Sequence, residues 1–191
     1  MSKDNTEAVR SAISESVEVL TGLDKQVAEI DALCERVVET LLRGGCIYTA
    51  GNGGSAAEAL HMTEELVGRF RGDRRSLPAV CLVADPTALT CIANDYGYEE
   101  IFSRAVSGLG RPGDLLMLLS TSGNSANLVR AAAEARRKDV CVACLLGRDG
   151  GLLAGTADLE IIVNSRSTER IQEAHQLIIH IILDAVERAF T

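Results

Sequence analysis

Tryptophan is absent from the 191 residues, and phenylalanine and tyrosine contribute three each. A surface that stacks on nucleic-acid bases needs aromatic rings, so this scarcity argues against one. Positive charge is short as well. Nineteen Lys and Arg stand against 27 Asp and Glu, a net charge of −8 at pH 7. Such a chain has no electrostatic grip on nucleic acid or on an anionic membrane. No apolar run reaches the roughly 18 residues that span a bilayer. The opening stretch, MSKDNTEAVRSAISES, lacks the apolar core of a signal peptide. The expectation is a cytoplasmic protein with neither nucleic-acid nor membrane partners. A phosphorylated small molecule stays open, because backbone N–H groups and hydroxyls bind phosphate without raising net charge.

The six cysteines, Cys34, Cys46, Cys81, Cys91, Cys141 and Cys144, are scattered in apolar surroundings, as expected of reduced core residues. Cys141 and Cys144 have C-x-x-C spacing, but the run VCVACLL reads as a strand. Residues three apart on a strand face opposite sides, which disfavours a shared zinc or a redox pair.

The chain shows no repeat, linker or low-complexity segment. Its first 44 residues read as two helices, with Val9, Ile13, Val17 and Leu20, then Val27, Ile30, Leu33 and Val37, at spacings of three and four. Thr21–Asp24 forms the break, with Asp24 an expected N-cap, and Gly44-Gly45 ends the second helix. Short apolar runs at 46–50, 79–84, 114–119, 140–146 and 159–163 then alternate with helical stretches. That pattern signals a parallel sheet covered on both faces. A last helix runs over 168–189. The fold class is α/β, a three-layer α/β/α domain over 45–191 with an N-terminal helical arm over 1–44. The arm's apolar face needs a partner, which predicts an oligomer.

Ligands of parallel α/β sheets bind outside the carboxyl ends of the strands. Two loops there are unusual: Gly51-Asn52-Gly53-Gly54-Ser55, and Ser120-Thr121-Ser122-Gly123-Asn124-Ser125. Glycines admit close backbone approach, hydroxyls donate hydrogen bonds, and the following helix N-terminus favours an anion. The first could also be a plain strand-to-helix turn, whereas four hydroxyls in the second exceed what one cap requires. Neither fits a nucleotide-phosphate loop or the dinucleotide spacing. A third loop, 147–151, reads as a turn.

The helix after the first loop carries His61 and Glu65 at i and i+4, on one face. The pair suits two ligands of one metal, or equally a solvated surface pair. Glu64 points about 100° away and reads as solvated. The last helix offers Gln172, His175, Gln176 and His180. A histidine within IIHIIL is more often a satisfied core residue, unless the helix returns to the strand ends.

The strings GNGGSAAEALHMTEELVGRF, STSGNSANLVRAA and ERIQEAHQLIIHIIL, in this order, closely resemble the bacterial phosphoheptose isomerases, enzymes of the SIS (sugar isomerase) family. The likeness covers essentially the whole chain. It implies a flavodoxin-like SIS fold with five parallel strands. It also implies isomerisation of sedoheptulose 7-phosphate to D-glycero-D-manno-heptose 7-phosphate through an enediol. That product serves heptose biosynthesis, whether for lipopolysaccharide, capsule or another pathway. The matching positions imply one zinc per subunit held by His61, Glu65, Gln172 and His180, with Glu65 and His180 as the acid/base pair. Implied substrate contacts are Asn52, Gly53, Gly54, Ser55, Glu65, Asn94, Asp95, Ser120, Thr121, Ser122, Ser125 and Gln172. A homotetramer with sites between subunits is implied too. Glu169 departs from the Asp that family members often carry before R-I-Q. The alternative is a sugar-phosphate-binding SIS regulator of the replication-initiator-associating type. Those relatives lack the carboxylate and histidine that stand here at Glu65 and His180.

Overall fold

The computed structural model describes residues 5–191. The first four residues of the N-terminal arm lie outside that range. Helices α1 (Asn5–Gly22) and α2 (Val27–Leu42) are joined by a 3-10 turn, Leu23–Gln26. Asp24 falls inside this turn, and position Gln26 precedes α2 with no side-chain cap. The expected Asp24 cap is therefore corrected: the chain passes between helices through the 3-10 turn, and it is Gln26, at φ −122° and ψ 21°, that leaves helical geometry before α2.

Five strands follow: β1 (Ile47–Gly51), β2 (Ala79–Cys81), β3 (Leu115–Ser120), β4 (Cys141–Gly147) and β5 (Leu159–Val163). All pairings are parallel, in the order β2-β1-β3-β4-β5. β2 is shorter than the run 79–84 suggests. As an edge strand it pairs only with Ile47–Thr49 of β1, and Leu82 and Val83 continue the apolar run outside the ladder. Between the strands lie α3 (Gly54–Val67), α4 (Pro86–Tyr96), α5 (Ile101–Leu109) and α6 (Ala126–Arg137); α7 (Thr168–Phe190) closes the chain. Pro86 and the Asp85 carboxylate, which accepts from Thr87 and Ala88 N–H at 2.9 and 3.0 Å, start α4.

Alternate strand residues feed two cores. Leu115, Met117 and Leu119 of β3 join Ala143 and Leu145 of β4 beneath α2, α3 and α7. Leu116 and Leu118 join Val142, Cys144 and Leu146 beneath α5 and α6. Each fully buried Leu, Val or Met among them contributes about 1.5–3 kcal/mol. Cys141 borders the first core and Cys144 lies in the second, and all six cysteines are free. The α2 half of the arm is part of the first core through Ile30, Leu33, Val37 and Leu41. α1 differs: none of its residues is buried, and Val9, Ile13 and Val17 are each more than half exposed. Among the described residues no helix is long and apolar enough to cross a membrane.

Candidate active site

The order β2-β1-β3 makes the gap between β1 and β3 a topological switch point, where crossovers leave in opposite directions and a crevice opens. The two unusual loops flank it, one after β1 and one after β3. Gly53 has φ +57° and starts α3, a conformation that favours glycine. Asn52 and buried Asn127, the second residue of α6, exchange amide hydrogen bonds of 2.9 and 3.0 Å. The Tyr98 hydroxyl donates to Asn52 Oδ1 at 2.9 Å. Beside them lies a cleft of about 380 Å³, lined by Asn52, Gly53, Thr90, Tyr98 and Phe102 among others.

In the second loop, Ser120 Oγ accepts from Gly123 N–H at 3.0 Å and Ser122 Oγ from Asn124 N–H at 3.3 Å. Ser125 precedes α6 without a side-chain cap hydrogen bond. The 147–151 turn braces this loop. Gly123 lies so close to it that a Cβ there would fall 1.8 Å from the Gly150 carbonyl oxygen. Leu152 and Leu153 donate their N–H groups to Asn124 Oδ1 and Gly123 O at 3.1 and 3.0 Å.

α3 is locked on β1 by Thr49, whose buried hydroxyl bonds Ala59 O at 2.9 Å and Thr63 Oγ1 at 2.7 Å. α7 packs beside α3. A Cβ on Gly54 would lie 2.2 Å from Gln172 Nε2, so the Gln172 amide sits against the first turn of α3. Two turns further along both helices, His61 Nε2 and His180 Nε2 face each other at 3.2 Å. α7 thus does return to the strand ends, which brings His180 beside His61 of α3. His175 is the core histidine. It is fully buried, its Nε2 meets Leu146 O at 3.1 Å, and burial pushes its pKa down to about 4.

Glu65, half-buried, groups with His61 and Glu64, their candidate ligand atoms lying within 4.8 Å of one another. Glu64 is solvated as expected, with 63% of its side chain exposed, yet its carboxylate reaches His61 Nδ1 at 3.3 Å. Carboxylates in this position fix the tautomer of metal-binding histidines. Gln176 Nε2 lies 2.9 Å from His180 Nε2, and Phe70 stacks on the His180 ring with centroids 5.7 Å apart. Buried Arg74 donates to the carbonyls of Glu65 and Leu66 at 2.6 and 2.9 Å, holding the end of α3.

Two ligands about 2.0–2.1 Å from a tetrahedral zinc are roughly 3.3–3.4 Å apart. The imidazole pair, at 3.2 Å, matches that spacing, with Glu65 grouped beside His61 to within 4.8 Å. Gln172, the remaining expected ligand, is turned to Gly54. Asn94 and Asp95 stand exposed on α4, hydrogen-bonded to each other at 2.8 Å. Glu169, exposed in the first turn of α7, has its carboxyl held below the usual range by hydrogen bonding to its own backbone N–H and to Ser167. Sequence reasoning named Gln176 without a role, read Glu64 only as solvated, and missed Tyr98 and Asn127. Asn127 alone carried a signal, as an amide directly after a hydroxyl-rich loop.

A switch-point crevice with hydroxyl-rich loops and a His/Glu cluster defines a parallel α/β domain built for a small anionic ligand. The SIS domain profile matches residues 12–147. The phosphoheptose isomerase of Shewanella frigidimarina is 42% identical over 186 residues, 95% of this chain and 94% of that one. The phosphoheptose isomerase structure from Francisella tularensis superposes with a TM-score of 0.94 at 31% identity, covering 97% of this chain and all of that one. The one from Neisseria gonorrhoeae gives 0.88 at 40% identity, covering 95% and 98%. The chain belongs to the SIS-domain family, among its phosphoheptose isomerases.

Proposed function

We propose that the chain is an aldose–ketose isomerase that converts sedoheptulose 7-phosphate to D-glycero-D-manno-heptose 7-phosphate. The observation that carries this reading is the meeting of His61 with His180 across two adjacent helices beneath the switch-point loops, with Glu65 grouped beside His61. Isomerisation needs a base at carbon, an acid/base at the carbonyl oxygen and a hold on the distal phosphate. Glu65 moves the proton between C2 and C1, and His180 holds the proton exchanged with the oxygen. The hydroxyls of Ser55, Ser120, Thr121, Ser122 and Ser125, with the amides of Gly53 and Gly54, hold the phosphate. They fix the reacting carbons at the other end. Asn52, Asn94, Asp95 and Gln172 contact the sugar. Both loops rest on rigid strands, which supports precise positioning.

His61, Glu65, His180 and Gln172 are the residues that would hold one zinc ion per subunit. When bound, the ion supplies Lewis-acid polarisation of the sugar oxygens. The Glu64 carboxylate keeps His61 Nε2 turned toward the site through Nδ1. We assign the arm 1–44 to assembly of a homotetramer with sites between subunits. The exposed stripe of Val9, Ile13 and Val17 on α1 supports this assignment. Six free cysteines support a reducing, cytoplasmic setting.

Incubation with sedoheptulose 7-phosphate in D₂O, followed by proton NMR with EDTA or added zinc, tests the reading. An aldoheptose anomeric signal is expected, lost with EDTA and restored by zinc. Phosphate-ester binding without aldose under any metal condition would favour the regulator. Glu65→Gln should abolish turnover while leaving substrate binding largely intact; near-normal activity would refute its role.

A further inference from the structure

Three crossovers of the sheet meet at one side chain. Asn52 begins the first, directly after β1, Tyr98 stands between α4 and α5 in the second, and Asn127 lies in the first turn of α6 in the third. Asn52 and Asn127 exchange both members of an amide pair, and the Tyr98 hydroxyl takes the remaining lone pair of Asn52 Oδ1. Asn127 is only 2% exposed, so its amide is committed to this contact; a buried amide without a partner is costly. Asn52 in turn keeps one amide hydrogen for a ligand in the adjoining cleft. We propose that Asn127 and Tyr98 are positioning residues that clamp Asn52, setting the distance between the two ligand loops and presenting the Asn52 amide to an oxygen of the bound sugar phosphate. The proposal rests on the isomerase reading for its substrate, though the clamp itself is a matter of the loops.

Neither clamp residue need touch the substrate. Asn127 is sealed beneath the loops, while Tyr98 contributes through a single hydroxyl on an exposed ring. Their effect should therefore pass entirely through Asn52. That predicts strict non-additivity, which a merely structural role would not produce.

The experiment is a set of double-mutant cycles on the full chain: Asn127→Leu with Asn52→Ala, and Tyr98→Phe with Asn52→Ala. KM and kcat for sedoheptulose 7-phosphate are read, with melting temperature as a check on folding. One lost hydrogen bond corresponds to about a two- to tenfold rise in KM. Such a rise is expected for Tyr98→Phe, a larger one for Asn127→Leu, and kcat should change less than KM. In each cycle the double variant should match Asn52→Ala alone. Additive effects would overturn the clamp. If Asn127→Leu fails to fold, the Tyr98→Phe cycle decides, because removing one exposed hydroxyl leaves the core untouched. If the wild-type protein gives no aldose, the isomerase reading falls, and the same cycles are read on the Kd for sedoheptulose 7-phosphate.

Discussion

Glu58 is 8% exposed on the inner face of α3, and neither carboxylate oxygen has a hydrogen-bond partner among the described residues. Burial raises its pKa from 4.5 to about 7, opposed only by the Ser55 hydroxyl nearby. The folded state thus holds the Glu58 proton over a pH range in which the unfolded chain has released it. Its contribution to stability is fully present below pH 4.5 and is lost as pH rises through 7. A shift of this size at about 1.4 kcal/mol per unit makes ionisation cost about 3 kcal/mol at pH 8. Glu58→Gln keeps the shape and removes the charge. It should stabilise the fold by up to about 3 kcal/mol at pH 8 and by less than about 1 kcal/mol at pH 5. Urea denaturation at the two pH values, monitored by far-UV circular dichroism, measures both numbers. A stability gain independent of pH, or none at pH 8, would refute the reasoning, because it would mean that Glu58 does not ionise at a desolvation cost in the native protein.

Other perturbations follow from the same geometry. His175, with its pKa pushed down to about 4, stays neutral in the fold while the unfolded chain gains a proton below about 6.5. Its stabilising contribution, worth about 3 kcal/mol, is present above pH 6.5 and lost as pH falls through 4. Wild type should therefore lose stability over that window more steeply than His175→Gln, and equal slopes would sink the idea. Gly54→Ala puts a methyl group against the Gln172 amide, the mobile end of a side chain. Melting temperature should change little, while turnover falls at least about tenfold through displaced Gln172; retained activity would remove Gln172 from the site. Of the six thiols, only Cys91 is exposed. A chromogenic disulfide should label Cys91 first in the native protein, half-buried Cys46 and Cys141 more slowly, and all six thiols in urea; early reaction of more than three would contradict the packing.

The strands and their loops were legible because buried parallel strands are unbroken apolar runs, and LLMLLS and CVACLLG cannot be much else between helices. The loops could be placed without coordinates because a ligand crevice follows from strand order. Where reading failed, the cause was local. Leu82 and Val83 extend the apolar run of β2, but an edge strand stops where its single neighbour does. Asp24 has the right chemistry for a cap, but a 3-10 turn removes the need for one. Glu64 lies about 100° from its neighbour Glu65 but only about 60° from His61 by helical geometry, so its side chain, three residues away, can reach Nδ1. Asn127 and Tyr98 act through a contact that joins residues 46 and 75 positions distant from Asn52, and no local pattern encodes such a meeting.

The same separation explains how the site and the fold depend on each other. His61 and His180 are 119 residues apart in the chain and share a site only because α3 and α7 pack side by side on one face of the sheet. Each helix buries its apolar face independently of any ligand, α3 through Ala59, Met62 and Leu66, and α7 through Ile171, Ile178 and Ile182. The core thus forms the histidine pair in advance, and little ordering remains to be done on binding. A metal ion held by both helices, as proposed above, would tie the first ligand helix to the last, and its affinity for the native state would add to global stability by mass action. The carboxylate and the imidazoles would then be oriented by packing, with the loops above them oriented by the strands. In the proposed reaction, chemistry at one end of the sugar and recognition at the other would thus be fixed by separate elements of one layer.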